Sequence, residues 1–453
     1  MAQNLSFHRT CIEVLAPGET TSIPDAVPLR LGKDLKFSMD ALNSYAVADF
    51  DPLVFDSMVL AGGIEFADRF RKRPSETWGR KLVVSIPVHD LAHWEKPEVQ
   101  VSLASALNFL TGDDWQISFR QRHTREPLPR QQQLDLQPGV RATLAYSDGM
   151  DSRAVNGLVR ATYKSGLVLV RLGSKKKGRP LRGQPFTALP YRFSRRIHNA
   201  ETSARNRGFK FSLVSGLAAY ICGANECVVP ESGQGALGPV LAPVGQTYPD
   251  YRNHPAFLER MSAFLEALLG IRIVYSFPRL WNTKAETLAN YISLGPSSAD
   301  WQGTTSCWKG SQWSSIDGKF RQCGACAACL LRRMSVHAAG QTEPPDTYIA
   351  SDLGVAELAD AVDPRFGKLN KAFRDYLIAA VLHMEHLAEL ALPENTPLLR
   401  RQAGILSSAV GLPPKEVEAK LARMLGKHAD EWNSYVDSLG DRSLIKEWAR
   451  RNG

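Results

Sequence analysis

The sequence predicts an α/β protein built on a doubly wound parallel sheet, with a small α/β unit before it and a helical segment after it. Three observations carry this expectation. Short apolar runs alternate with amphipathic helical patterns between Ala142 and Thr283, strand signals fade after Gly340, and a proline-rich stretch with a glutamine run, Arg122–Pro138, separates the first unit from the second. At 453 residues the chain exceeds what one hydrophobic core supports. The expected divisions are residues 1–138, 139–340 and 341–453.

In the first division, strand-like runs at Lys81–Pro87 and Trp115–Phe119 accompany helical patterns at Pro52–Arg71 and Val99–Leu110. The second opens with a strand, Ala142–Tyr146, that leads into the loop Ser147–Ser152, a helix to about Tyr163 and a strand at Leu167–Leu172. A helix around Phe209–Ala224, a strand at Cys227–Val229, a helix at Pro255–Leu269, a strand at Ile271–Ser276 and a helix from Thr283 continue the alternation. After the Thr342–Pro345 linker, Lys368–Leu390 and Pro414–Leu425 read as helices.

The composition is that of a globular protein, 44% hydrophobic and 22% charged, with a net charge of +9. No run approaches the ~20 apolar residues of a membrane span, and no apolar run follows a basic start in the N-terminal residues, so a cytoplasmic protein with no membrane partner is expected. Between Arg153 and Lys210 there are fifteen Lys or Arg against one acid, Glu201. Such a stretch favours phosphates, whether of a nucleotide or of RNA, although a solvated basic loop has the same composition.

The segment Ser147-Asp148-Gly149-Met150-Asp151-Ser152 joins a strand to a helix. A helix N-terminus offers unpaired N–H groups and the positive end of a dipole, so small and hydroxylated residues there suit a phosphate. Asp151 could cap the helix or hold a Mg²⁺ ion. The loop is not G-x-x-x-x-G-K-[ST], and an ordinary capped turn would also fit. The four cysteines Cys307, Cys323, Cys326 and Cys329 follow C-x15-C-x2-C-x2-C. Four thiolates in a reducing compartment suit a closed structural Zn²⁺ site, with an iron–sulfur cluster as the rival occupant. Cys11, Cys222 and Cys227 stand apart and read as packing residues.

The loop resembles the PP-loop, S-G-G-x-D-S, of ATP pyrophosphatases, except that Asp148 stands where the first glycine usually lies. Further stretches narrow the likeness. Thr305-Ser306-Cys307-Trp308 with Cys323-Gly324-Ala325-Cys326-Ala327-Ala328-Cys329 and Arg332 is similar to the zinc end of the 7-cyano-7-deazaguanine synthase family, QueC. Arg205-Asn206 with Phe209 resembles its R-N-x-x-F, Tyr248-Pro249-Asp250-Tyr251-Arg252 its Y-P-D-x-R, and Trp281-Asn282-Thr283-Lys284-Ala285-Glu286-Thr287 its W-x-x-K-A-E-T. Leu172-Gly173-Ser174 departs from the family's second strand, which puts the adenine or acceptor pocket in doubt.

This resemblance implies an adenine nucleotide alpha hydrolase-like core, ATP as co-substrate and a deazaguanine small molecule whose carboxylate is adenylated, converted by ammonia to an amide, and activated a second time to give the nitrile. It implies that residues Ser147–Ser152 and Arg205 contact the nucleotide, that Asp151 and Lys284 are catalytic, with Lys284 neutralising charge that develops on the phosphates as the adenylate forms, and that Asp250 and Arg252 read the guanine-like edge and the substrate carboxyl. Read without it, Arg252 fits a helix cap and Lys284 with Glu286 fit ordinary first-turn charges. The minimal synthase needs neither the first nor the last division. Long flanks of this kind resemble the QueC-like proteins of antiphage defence operons, the QatC type among them, which implies transfer to the N-terminal amine of a protein encoded in the same operon. A tRNA-modifying PP-loop enzyme is the nucleic-acid alternative.

Overall fold

The computed structural model describes residues 9–37, 51–74, 79–124, 139–172, 186–189, 191–195, 197, 200–202, 205–245, 247–308 and 314–449. The linker after residue 124, the Gly173–Ser174 departure and the run from Lys175 to Arg182 lie outside them. The strands are β1 (Arg9–Leu15), β2 (Val27–Arg30), β3 (Leu35–Phe37), β4 (Lys81–Val88), β5 (Asp114–Gln121), β6 (Ala142–Ala145), β7 (Leu167–Leu172), β8 (Phe186–Leu189), β9 (Tyr191–Phe193), β10 (Glu226–Val228), β11 (Val274–Ser276), β12 (Ser315–Ile316) and β13 (Lys319–Phe320). The longer helices are α1 (Pro52–Phe70), α2 (Pro97–Thr111), α3 (Met150–Tyr163), α4 (Arg207–Ile221), α5 (Pro255–Leu269), α6 (Lys284–Ile292), α7 (Ala327–Ala338), α8 (Lys371–Glu389), α9 (Thr396–Val410), α10 (Pro414–Ser438) and, shorter, α11 (Leu444–Ala449). Two compact units result, one of Met1–Tyr146, Thr162–Val229 and Asp250–Ser276, the other of Ser147–Ala161, Pro230–Pro249 and Phe277–Gly453.

The first unit holds two parallel sheets, and the one formed by strands of the Ala142–Thr283 alternation is the sheet that pattern predicts. One has the order β2-β1-β4-β5 and the other β11-β10-β6-β7-β8. β4 is buried along almost its whole length, which is why it reads as a continuous apolar run rather than an alternation. β1 is absent from the sequence reading because it carries a buried acid: Glu13 accepts from the Ser22 amide at 2.9 Å and the Ser22 hydroxyl at 2.6 Å. α1 starts where Asp51 accepts from the Leu53 amide and Pro52 opens the helix. In the second sheet, β7 and β8 extend to one side of β6 and β10 and β11 to the other. Strand order therefore reverses beside β6, a topological switch point.

A buried charge cluster ties elements of this unit together. Arg80 donates to Asp113 at 2.8 Å and pairs with Asp68, and Arg73 pairs with Asp68 at 3.0 Å. Burial works to raise the Asp113 carboxyl, but Arg80 and Arg73 hold it below the usual carboxylate range. The Asn206 amide also donates to Asp68, at 3.2 Å, which anchors the start of α4.

The second unit is helical apart from the β12–β13 hairpin. Its cores follow helical spacing: Val417, Leu421, Met424 and Leu425 of α10 pack with Leu399 and Leu406 of α9 and Leu387 of α8. A neighbouring cluster gathers Leu330 and Met334 of α7, Phe373 and Leu377 of α8, and Trp432 of α10 around the cysteines. The helix expected to stop at Leu425 runs on to Ser438. The polar run from Gly426 to Glu431 looks like a terminus, yet His428 and Glu431 within it are buried. No helix among the described residues is long and apolar enough to cross a membrane.

Candidate active site

The loop that follows β6 is held open by its own hydroxyls. Ser147 Oγ lies 2.9 Å from Ser152 Oγ and accepts from the Gly149 amide at 3.1 Å. α3 begins at Met150, and its first amides have no intrahelical acceptors. The Met150 side chain turns away into a core with Ala154, Leu288, Tyr291, Trp301 and Val336, so only its backbone faces the loop chemistry. Asp148, exposed at the tip, gives its carbonyl to the Thr305 amide at 2.8 Å.

Lys284, the first residue of α6, brings its ammonium to Asp151 Oδ2. The lysine is buried, at 5% exposure, and Asp151 Oδ1 is buried with no hydrogen-bond partner among the described residues. Burial, reinforced by the positive Arg332 guanidinium, pushes the ammonium down to about 7. α6 starts with a reciprocal cap: Thr283 Oγ1 accepts from the Glu286 amide and Glu286 accepts from the Thr283 amide at 2.8 Å. Arg423 of α10 clamps Glu286 from outside.

The four cysteine sulfurs lie within 4.8 Å of one another, and Cys323 Sγ is 3.9 Å from Cys329 Sγ. A tetrahedral Zn²⁺ with Zn–S bonds of about 2.3 Å spaces its sulfurs by about 3.8 Å, so the cluster could bind zinc. Amides of Cys326 and Ala325 point at Cys323 Sγ, and the Cys323 amide at Cys307 Sγ, each 3.3–3.5 Å away. Hydrogen bonds from its three neighbours hold the Cys323 thiol well below its ordinary range, whereas Cys326 and Cys329 are pushed up. Four thiolates cannot crowd together without a cation, so this donor set fits a metal. Gly324 sits in the turn at φ +78, and a side chain there would lie 2.5 Å from the Ala350 carbonyl.

The cysteine turn and the serine loop are linked through hydrogen bonds. Gln322 Oε1 accepts from the Ser306 amide at 2.8 Å and the Cys307 amide at 3.2 Å. Arg332, fully buried, donates to the Thr304 carbonyl and hydroxyl at 3.0 and 2.8 Å and pairs with Glu343 at 2.7 Å. Thr305, next in the chain, holds Asp148.

Residues 240–340 match the family described as Queuosine biosynthesis protein QueC. The match takes in Asp250, Arg252, Lys284 and the four cysteines, and it supports a QueC-like, ATP-using enzyme of the synthase type. No curated protein and no solved structure matches the chain.

Within the QueC-like segment, Asp250 and Arg252 belong to the first unit and neutralise each other. Arg252 Nε donates to both carboxylate oxygens, at 2.8 and 2.7 Å, and both side chains are about one-third exposed. A Cβ on Gly208 of α4 would lie 2.8 Å from Arg252 Cα, so the R-N-x-x-F and Y-P-D-x-R stretches do come together. Arg205 is in the same unit and donates to the Thr111 carbonyl at 2.8 Å. The loop, Lys284 and the cysteines are assembled in the second unit. The residues that the sequence reading missed are Gln234, Thr283, His428 and Glu431. The Thr283-x-x-Glu286 box is legible as a helix start; the other contacts bridge distant segments.

Proposed function

We propose that this protein uses ATP to adenylate the carboxyl group of a 7-deazaguanine substrate and then transfers the acyl group to an amine, the N-terminal amine of a partner protein in an antiviral defence system. The observation that carries the first step is the buried Lys284 ammonium held against Asp151, in the first turn of the helix that follows the serine loop. ATP supplies the leaving group: the substrate carboxylate oxygen bonds to the α phosphorus, and the bond to the bridging oxygen of pyrophosphate breaks. Ser147, Asp148, Gly149, Met150 and Ser152 supply hydroxyl and backbone donors to the phosphates, and Lys284 neutralises their growing charge. Asp151 Oδ1, which has no hydrogen-bond partner among the described residues, is the oxygen that would hold Mg²⁺. Arg252 and Asp250 open from each other to take the substrate carboxyl and the guanine-like edge, and Arg205 supports the nucleotide. The four cysteines hold a structural Zn²⁺.

In the second step the amine nitrogen attacks the acyl carbon, AMP leaves, and the nitrogen loses a proton. The segments 1–138 and 341–453 supply surface for a polypeptide acceptor, which ammonia does not need. The family match favours a second reading of this step, in which ammonia displaces AMP to give the amide and a second ATP adenylates the amide oxygen, which leaves with AMP as the nitrogen loses its protons to form the nitrile. Incubation with ATP, 7-carboxy-7-deazaguanine and the neighbouring gene product should yield AMP, pyrophosphate and a deazaguanine-sized mass on that protein's first residue. ADP as the main nucleotide product would overturn the first step. Free nitrile from ammonia without a protein adduct would establish the second reading.

A further inference from the structure

The start of α6 is supported from below by a polar chain that the proposed chemistry does not use. The Lys284 amide donates to Gln234 Oε1 at 2.7 Å, and Gln234 Nε2 lies 2.8 Å from His428 Nδ1. His428 Nε2 is 2.9 Å from the Met384 carbonyl. A carbonyl only accepts, so the His428 ring carries its proton on Nε2 and presents a bare Nδ1 to the Gln234 amide. One residue earlier, Thr283 Oγ1 donates to Glu431 Oε1 at 2.6 Å. Gln234 is 2% exposed, Thr283 and His428 0%, and Glu431 3%. The first amide of a helix has no intrahelical acceptor, so Gln234 fixes where the helix begins, and His428 fixes which way Gln234 points.

We propose that Gln234 and His428 are positioning residues for Lys284, so that the C-terminal helix α10 is a working part of the ATP site as well as flanking surface. This inference rests on the reading of Lys284 as the phosphate-facing cation. Its logic is geometric: Lys284 leaves the backbone at the residue Gln234 holds, and its ammonium must reach Asp151, where the serine loop passes into α3. Displacing a charged donor by about 1 Å can cost on the order of 100-fold in rate. Glu431 adds a second tie through Thr283, so α10 grips the helix start at two consecutive residues.

The test uses the full chain, ATP and 7-carboxy-7-deazaguanine, and reads both ATP–pyrophosphate exchange and hydrogen–deuterium exchange at the Lys284 amide. Gln234→Leu and His428→Leu should lower kcat about 10- to 100-fold with little change in KM for ATP, and should strip protection from the Lys284 amide. His428→Asn, whose side-chain oxygen can stand in for Nδ1, should recover much of both losses. Zinc content and thermal midpoint report folding, and Gln234→Met, closer in shape, replaces Gln234→Leu if that variant does not fold. Unchanged amide protection in His428→Leu, or lost protection with unchanged kcat, overturns the inference. Lys284→Ala separates the two readings. If it retains the normal exchange rate, the role of Lys284 itself is wrong. If it is inactive while Gln234→Leu is fully active, only the positioning role is wrong.

Discussion

Raising the pH should slow the ATP half-reaction at a point set by Lys284. Burial brings its ammonium down to about 7, against about 10.4 for an exposed lysine. In the free enzyme, one pH unit above that value leaves about one lysine in eleven charged, so kcat/KM for ATP should fall about tenfold per unit on the alkaline side. Lys284→Arg keeps its charge at every accessible pH and should abolish this limb, whatever its plateau. Stability should move the other way. The unfolded chain binds the lysine proton between about pH 7 and 10.4 while the folded one does not, so this group adds stability as pH rises through that window. Pyrophosphate exchange from pH 6 to 9, run beside urea denaturation, measures both. A flat kcat/KM profile in the unmodified protein, or an unchanged limb in Lys284→Arg, would refute the argument.

Elemental analysis should find one zinc per chain, lost in Cys326→Ser and retained poorly in Gly324→Ala, where a side chain would press on the Ala350 carbonyl; iron instead of zinc would reject the assignment. Asp113→Ala leaves two buried guanidiniums, Arg73 and Arg80, with Asp68 as their one shared carboxylate and should cost about 3–5 kcal/mol, read as a lower urea midpoint. Ser147→Ala and Asp151→Ala should abolish AMP formation while circular dichroism stays unchanged, because neither side chain packs in a core.

The alternating parallel-sheet core was legible because its strands are short, apolar and separated by amphipathic helices, and the cysteine cluster because three of its members share one turn. The serine loop and Lys284 were readable as candidates, and the structure joins them through Asp151. What sequence reasoning could not reach are contacts whose partners lie far apart along the chain. Glu13 in β1 and His428 with Glu431 in α10 look like surface residues in a one-dimensional reading, because burial of a polar group is possible only when a distant segment satisfies it. The Asp250–Arg252 pair illustrates the converse. Each residue suggests a substrate contact on its own, and the fold spends their charges on each other first.

The polar chain from Lys284 to α10 also sets an order in time. Ribosomes deliver about 5–20 residues per second, and His428 follows Lys284 by about 140 residues, a lag of roughly 7–30 s. During that interval the nascent polypeptide already carries the serine loop and the lysine, but Gln234 has nothing to orient it. On the reading proposed above, chains that stop short of His428 would carry the serine loop and Lys284 without the contact that orients Gln234.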